Sequence, residues 1–322
     1  MQNLLRPSRA SSRILTRPPF PTRIEAALPG TLRAWLFYAE RRFRAARLQF
    51  GHGTHSARDE AAWLLASVLG LPHDWLAQSL AHELTARERS SASRLIEERV
   101  RTRRPLAYLL KEAWLGEHRF YVDGRVIVPR SFVAELLRDR LEPWISRPMH
   151  VRRALDLCTG SGCLAILLAL AFPHATVDAT DVSRAALAVA RRNLRAYRLG
   201  ERVRLVRTDL FAGLEPARYD LIVANPPYVG AAAMRRLPPE YRREPRLALD
   251  GGPDGLEFTR RILLAAGNFL RPRGLLVVET GRNRRKLERA FPRLALIWPQ
   301  TSAGYDCVFV LSREDLSESA LQ

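Results

Sequence analysis

From about Arg152 onward, short apolar runs alternate with helical stretches, and this alternation constrains the fold more than any other feature of the chain. Ala154–Leu157, Thr176–Thr180, Val203–Arg207, Tyr219–Ala224, Leu275–Glu279, Leu294–Trp298 and Cys307–Leu311 predict strands; Arg184–Tyr197 and Phe258–Phe269 predict helices between them. Strands separated by helices pair in parallel, because each crossover must return the chain to the same end of the sheet. The expectation is a doubly wound α/β domain over residues 131–322. The full 322 residues are enough for roughly two domains of about 100–200 residues each.

The preceding part is of another kind. Residues 28–112 carry apolar side chains at helical spacing, with Leu32, Trp35, Leu36 and Phe43 in one set and Ala61, Leu64, Leu65, Val68 and Leu69 in the next. Leu71-Pro72 predicts a helix stop, and Thr85-Ala86-Arg87-Glu88 has the form of a capping box. Residues 113–130 predict a β-hairpin linker, with Asp123-Gly124 flanked by apolar runs as its turn. Residues 1–27 hold five arginines, one acid and the cluster Pro18-Pro19-Phe20-Pro21, which reads as a disordered basic tail. The prolines spoil an amphipathic presequence and the apolar core of a secretory signal is missing, so a cytoplasmic protein is expected.

Composition excludes several classes. The longest apolar run, Leu164–Phe172, is far below the roughly 18 residues of a membrane span. Three cysteines, Cys158, Cys163 and Cys307, make neither a disulfide framework nor a zinc quartet. His52 and His55 lie three apart without a third ligand at a convincing spacing. The formal charge is +19, and Lys111 and Lys286 are the only lysines among 52 basic residues. That bias fits GC-rich coding as well as a polyanionic partner such as RNA, and the excess is spread over both halves of the chain.

Two motifs carry chemistry. Asp156-Leu157-Cys158-Thr159-Gly160-Ser161-Gly162 follows a predicted strand and opens a helix, where small residues let backbone approach a ligand at the carboxyl edge of the sheet. Asp181 ends the next strand, placed to meet ribose hydroxyls. The third glycine of a dinucleotide fingerprint is absent, which leaves S-adenosylmethionine ahead of NAD as the adenosine-type cofactor. The second motif, Asn225-Pro226-Pro227-Tyr228, comes directly after the strand Tyr219–Ala224. Its prolines stiffen a turn at the ligand-binding end of a strand. There the Asn225 carbonyl and the Pro226 backbone carbonyl offer two acceptors for the two hydrogens of a planar NH2 group, and Tyr228 can pack on its plane.

An Asn-Pro-Pro-Tyr turn beside a Thr-Gly-Ser-Gly loop resembles the class I methyltransferases that modify planar amino groups. Within that set the chain resembles the glutamine methyltransferases of the HemK/PrmC/PrmB group, over roughly residues 28–311. Phe50-Gly51-His52-Gly53-Thr54, Pro105-Leu106-Ala107-Tyr108-Leu109, Val128-Pro129-Arg130-Ser131, Leu237-Pro238-Pro239-Glu240-Tyr241-Arg242-Arg243-Glu244-Pro245 and Asp254-Gly255-Leu256 carry the likeness. Cys158 and the run Ser131-Phe132-Val133-Ala134-Glu135 favour the PrmB type over the release-factor type.

The resemblance implies a Rossmann-like methyltransferase sheet behind a helical substrate-recognition domain and a linking hairpin. It implies S-adenosyl-L-methionine contacts at Asp156, at Cys158, Thr159, Gly160, Ser161 and Gly162, at Asp181, at Asp209 and Leu210 near the adenine, and at Asn225. The substrate amide would be held by Asn225, Pro226, Pro227 and Tyr228. The implied reaction is N5-methylation of a glutamine in the large-subunit ribosomal protein uL3, free or within a ribosome-assembly intermediate, with possible contact to ribosomal RNA. A release-factor glutamine methyltransferase, an adenine-amino methyltransferase on RNA or DNA, and a non-catalytic ribosome-assembly factor are the alternatives. No metal is expected, and none of these readings involves a membrane.

Overall fold

The computed structural model describes residues 30–71, 79–214 and 219–321; the basic tail and the predicted stop at Pro72 lie outside the described residues. Helix α1 (Leu32–Ala45) starts where the Thr31 hydroxyl accepts the Ala34 N–H, and it buries Trp35, Leu36 and Phe43. Helix α2 (Ala57–Leu69) is capped by Ser56 and ends on Gly70, whose φ of 65° is the left-handed conformation that glycine adopts without strain. Helix α3 (Ala86–Thr102) begins with the capping box foreseen at Thr85 and Glu88. After α4 (Leu106–Leu110), the apolar faces of these helices close on one core. That core also takes in Val122, Val126 and Val128, and reaches Val189 in the α/β part.

The hairpin forms earlier than its sequence signal. Strands β1 (Ala113–Leu115) and β2 (His118–Phe120) pair antiparallel, turning at Gly116-Glu117 instead of Asp123-Gly124. At the predicted turn, Asp123 satisfies its carboxylate locally, accepting from the Arg125 backbone and guanidinium and from the Tyr121 hydroxyl. The valines around it are drawn onto the helical core, so no facing strand forms there.

Helix α5 (Val133–Arg138) leads into the sheet. Its elements are β3 (Arg153–Leu157), α6 (Cys163–Ala171), β4 (Thr176–Asp181), α7 (Arg184–Ala196), β5 (Val203–Arg207) and β6 (Tyr219–Ala224). They continue with α8 (Ala231–Arg235), α9 (Glu257–Phe269), β7 (Leu270–Glu279), α10 (Arg284–Ala290) and β8 (Val308–Ser312). The strand order is β5-β4-β3-β6-β7-β8, parallel throughout except for antiparallel β8. Leu294–Trp298 is not a strand. Leu296 N–H bonds the Leu294 carbonyl in a tight three-residue turn, and only Ile297 reaches across to Val310. The chain moves outward from β3 to β5 and then crosses back to β6, so the strand order reverses between β3 and β6. A crevice opens outside the carboxyl ends of strands at such a point. No described helix is long and apolar enough to cross a membrane.

Candidate active site

The loop after β3 is built from beneath. Asp156 has no exposed surface and accepts the Thr159 hydroxyl at 2.6 Å. Burial pushes its carboxyl up to about 7, although the Thr159 hydroxyl and the Ala165 N–H act against that rise. Cys158 takes a positive φ of 59°, and Thr159 N–H bonds the Thr180 carbonyl at 2.8 Å, fastening the loop to the end of β4. Gly162 is required twice over. Its φ is 79°, and a β-carbon there would come within 3.1 Å of Ala190 on α7. Asn193, buried on α7, donates to the Ser161 carbonyl at 2.8 Å and the Tyr121 carbonyl at 3.0 Å, tying the loop to the linker.

Asp181 reaches back over this loop. One carboxylate oxygen accepts Gly160 N–H at 2.9 Å and the other Ser183 N–H at 2.8 Å. Burial raises its pKa, and those two donors hold against the rise. Beyond β5, Asp209 is exposed and paired with Arg261 at 2.7 Å, while Leu210 is buried with φ 51°.

After β6, Pro226 and Pro227 are buried and Asn225 is half-buried at the floor of the crevice. Among the described residues, neither the Asn225 side-chain amide nor the Pro226 carbonyl has a hydrogen-bond partner. Glycine fixes the turn from outside: a β-carbon at Gly251 would sit 2.7 Å from Tyr228 Cα and 2.8 Å from the Pro227 oxygen. Asn283 donates to the Tyr228 carbonyl at 3.0 Å. The Tyr228 side chain faces away from the crevice, its hydroxyl donating to Glu279 at 3.1 Å. Burial, and the charge of Glu279 next, keep that phenol protonated.

Cys158, Gly160, Asp181, Asp209, Leu210, Asn225 and Pro227 therefore line one cleft that opens to solvent. Asp156, Thr159, Ser161 and Gly162 lie behind its wall, and Pro226 and Tyr228 support its floor. The cleft suits an adenosine-type group. Its walls are largely apolar, with Leu210, Leu247 and Phe258 beside Asp181, and Thr180 presents a buried hydroxyl without a partner among the described residues.

Four supporting residues escape sequence reasoning. Glu279 is fully buried at the end of β7 and also accepts the Ser131 hydroxyl and the Phe132 N–H; Asn193 and Asn283 hold loop carbonyls; Glu244 is buried against Arg130. Glu244 and Arg130 lie in runs that carry the family resemblance, which was the available signal. Asn193 had none.

A mainly parallel sheet with a largely apolar cleft at its switch point, lined by Asp181 and the unpartnered Asn225, is the architecture of a methyltransferase. Accordingly, the family model "Methyltransferase small domain" matches residues 134–237, and "PrmC N-terminal domain" matches residues 34–110. The "Ribosomal protein uL3 glutamine methyltransferase" of Neisseria meningitidis serogroup A is 54% identical over 286 residues, covering 89% of this chain and 94% of that protein. Proteins of the same name from Bordetella pertussis and Burkholderia pseudomallei are 52% and 50% identical, each over 89% of this chain and over 96% and 95% of their own lengths. The chain belongs to the family of uL3 glutamine methyltransferases and is an enzyme.

Proposed function

We propose that this enzyme transfers a methyl group from S-adenosylmethionine to the side-chain amide nitrogen of a glutamine in ribosomal protein uL3. The observation that carries the reading is the unpartnered Asn225 side chain lining a cleft suited to an adenosine-type group, with the unpartnered Pro226 carbonyl next to it in the same turn. The bound cofactor supplies a methyl group already activated on a sulfonium sulfur. Cys158, Gly160, Asp181, Asp209 and Leu210 would hold it against the ends of β3, β4 and β5.

An amide nitrogen is a poor nucleophile, because its lone pair is shared with the carbonyl. Asn225 and the Pro226 carbonyl accept the two N–H groups, fix the nitrogen in line with the methyl, and stabilise positive charge as it grows there. The protonated N-methyl amide is acidic enough to lose its proton without a dedicated base. Tyr228, anchored by Glu279, keeps the turn from shifting under this load. The helical unit selects the protein substrate, since a glutamine side chain is generic and specificity must come from the surface around it. The formal charge of +19 suits a substrate presented with ribosomal RNA in the cytoplasm.

Two substitutions separate the roles. Asn225→Ala should leave cofactor affinity in calorimetry nearly unchanged while kcat falls by about 10²–10³, as for loss of one preorganised hydrogen-bond partner. Asp181→Ala should instead weaken the cofactor by about 1.5–3 kcal/mol, as for loss of a charged hydrogen-bonding group. Equal loss of binding and turnover in Asn225→Ala would remove the amide clamp from the account.

A further inference from the structure

The run Leu237–Pro245 has no part in the chemistry above, yet it carries two glutamates, four residues apart, whose side chains have no exposed surface. A carboxylate stays ionised in such a place only when hydrogen-bonded and paired. For both, the partners come from the helical unit and the linker. Glu240 accepts the Gln49 backbone N–H at 3.2 Å and forms an ion pair with Arg103 at 2.7 Å. Glu244 accepts the Val128 N–H at 2.9 Å and both terminal nitrogens of Arg130 at 2.6 Å each, and His52 Nε2 lies 3.5 Å away. Between them Tyr241 packs its ring on His52, with centroids 4.3 Å apart, and seats its hydroxyl where Gly51 leaves no room for a β-carbon.

The same segment then runs straight into the site. Pro245, Leu247 and Ala248 form one wall of the cleft. The Leu249 carbonyl accepts Val229 N–H at 2.9 Å, and Gly251 N–H returns a bond to the Val229 carbonyl at 2.9 Å, one residue beyond the Asn225–Tyr228 turn. Residues 49–52 and Arg103 are thus joined, through the two buried glutamates and backbone bonds, to the cleft wall and to the Asn225–Tyr228 turn.

We propose that Glu240, Tyr241 and Glu244 are positioning residues for methyl transfer, through which the helical unit sets the cleft wall at 245–248, so that protein docking on the helical unit and cofactor binding strengthen one another. The proposal rests on the reading of the cleft as the cofactor site. Coupling of this kind is reciprocal: whatever the helical unit does for the cofactor, the cofactor must do for the contacts of the helical unit.

The test uses the full wild-type chain with S-adenosylhomocysteine as probe, following amide hydrogen exchange at Gln49 and Val128, the two backbone donors to the buried glutamates. Saturating the cleft should slow exchange at both by about fivefold or more, within the usual range of allosteric coupling. In parallel, Arg103→Ala and Glu240→Gln should each raise the Kd of S-adenosylhomocysteine by about fivefold or more at temperatures where circular dichroism shows folded protein. Arg103→Lys should recover part of that loss. Tight binding with unchanged exchange at Gln49 and Val128 would overturn the proposal and leave the cofactor reading intact. Failure of the wild-type chain to bind S-adenosylhomocysteine at all would overturn the cofactor reading itself.

Discussion

Glu279 shows how one side chain ties distant parts of the site together. Its Oε2 accepts the Ser131 hydroxyl at 2.7 Å and the Phe132 N–H at 2.9 Å, and its Oε1 the Tyr228 hydroxyl at 3.1 Å, joining the start of α5 to the Asn225–Tyr228 turn. Burial pushes its carboxyl up to about 7 from an ordinary 4.5, even though these donors and Arg130 favour the ionised form. Between those two pH values the folded chain holds a proton that the unfolded chain has released. Stability from this group is therefore fully present below about 4.5 and is lost as pH rises through about 7, to the extent of roughly 3 kcal/mol. Glu279→Gln mimics the protonated carboxyl, with its amide donating to Tyr228. Urea unfolding from pH 4.5 to pH 7.5 should show the wild type losing stability relative to Glu279→Gln as pH rises; parallel pH profiles would contradict the buried-carboxyl account. Sequence gave no warning of this role. A glutamate at a strand end resembles any other, and its burial depends on Ser131 and Tyr228, 148 and 51 residues away.

Among the elements, the central strands β3, β4 and β6 were legible because buried parallel strands read as apolar runs, and the edge strand β5 because its apolar and charged residues alternate. β3, β4, β5 and β6 fall within a residue or so of their predicted bounds. Two expectations failed, one to a tertiary competitor and one to a local turn. The Asp123-Gly124 turn gave way to valines claimed by the helical core, and Leu294–Trp298 was bent by its own tight turn. In the Leu237–Gly251 segment charged residues suggest surface, and nothing local shows that Glu240 and Glu244 are buried beneath partners far away in the chain. Its last residue gives an element-scale prediction. Gly251→Ala places a methyl against Tyr228 Cα and the Pro227 oxygen, both backbone atoms that cannot swing aside. The variant should lose about 1–3 kcal/mol of stability in urea unfolding, as for overpacking. Its kcat should fall at least tenfold, since the Asn225 amide moves with the turn. Wild-type kcat in this variant would show that the turn does not depend on its glycine neighbours.

At the scale of the whole molecule, the helical unit and the sheet share more than a linker. The core of α1 to α4 extends through Val122, Val126 and Val128 to Ala186 and Val189 on α7, and ion pairs from Arg103 and from Arg130 of the linker reach the buried Glu240 and Glu244 of the segment that leads to the cleft wall. Such continuity suits an enzyme that must recognise a folded surface and a single side chain together. The most direct test is methyl transfer from S-adenosylmethionine by the full chain to three acceptors offered separately, namely purified uL3, a peptide-release factor and ribosomal RNA, with products mapped by peptide and nucleoside mass spectrometry. The account predicts one added methyl on one glutamine side chain of uL3, formed about 10²–10³ times more slowly when Asn225→Ala replaces the wild type. Methylation of the release factor or of adenine in RNA, with uL3 unmodified, would contradict it.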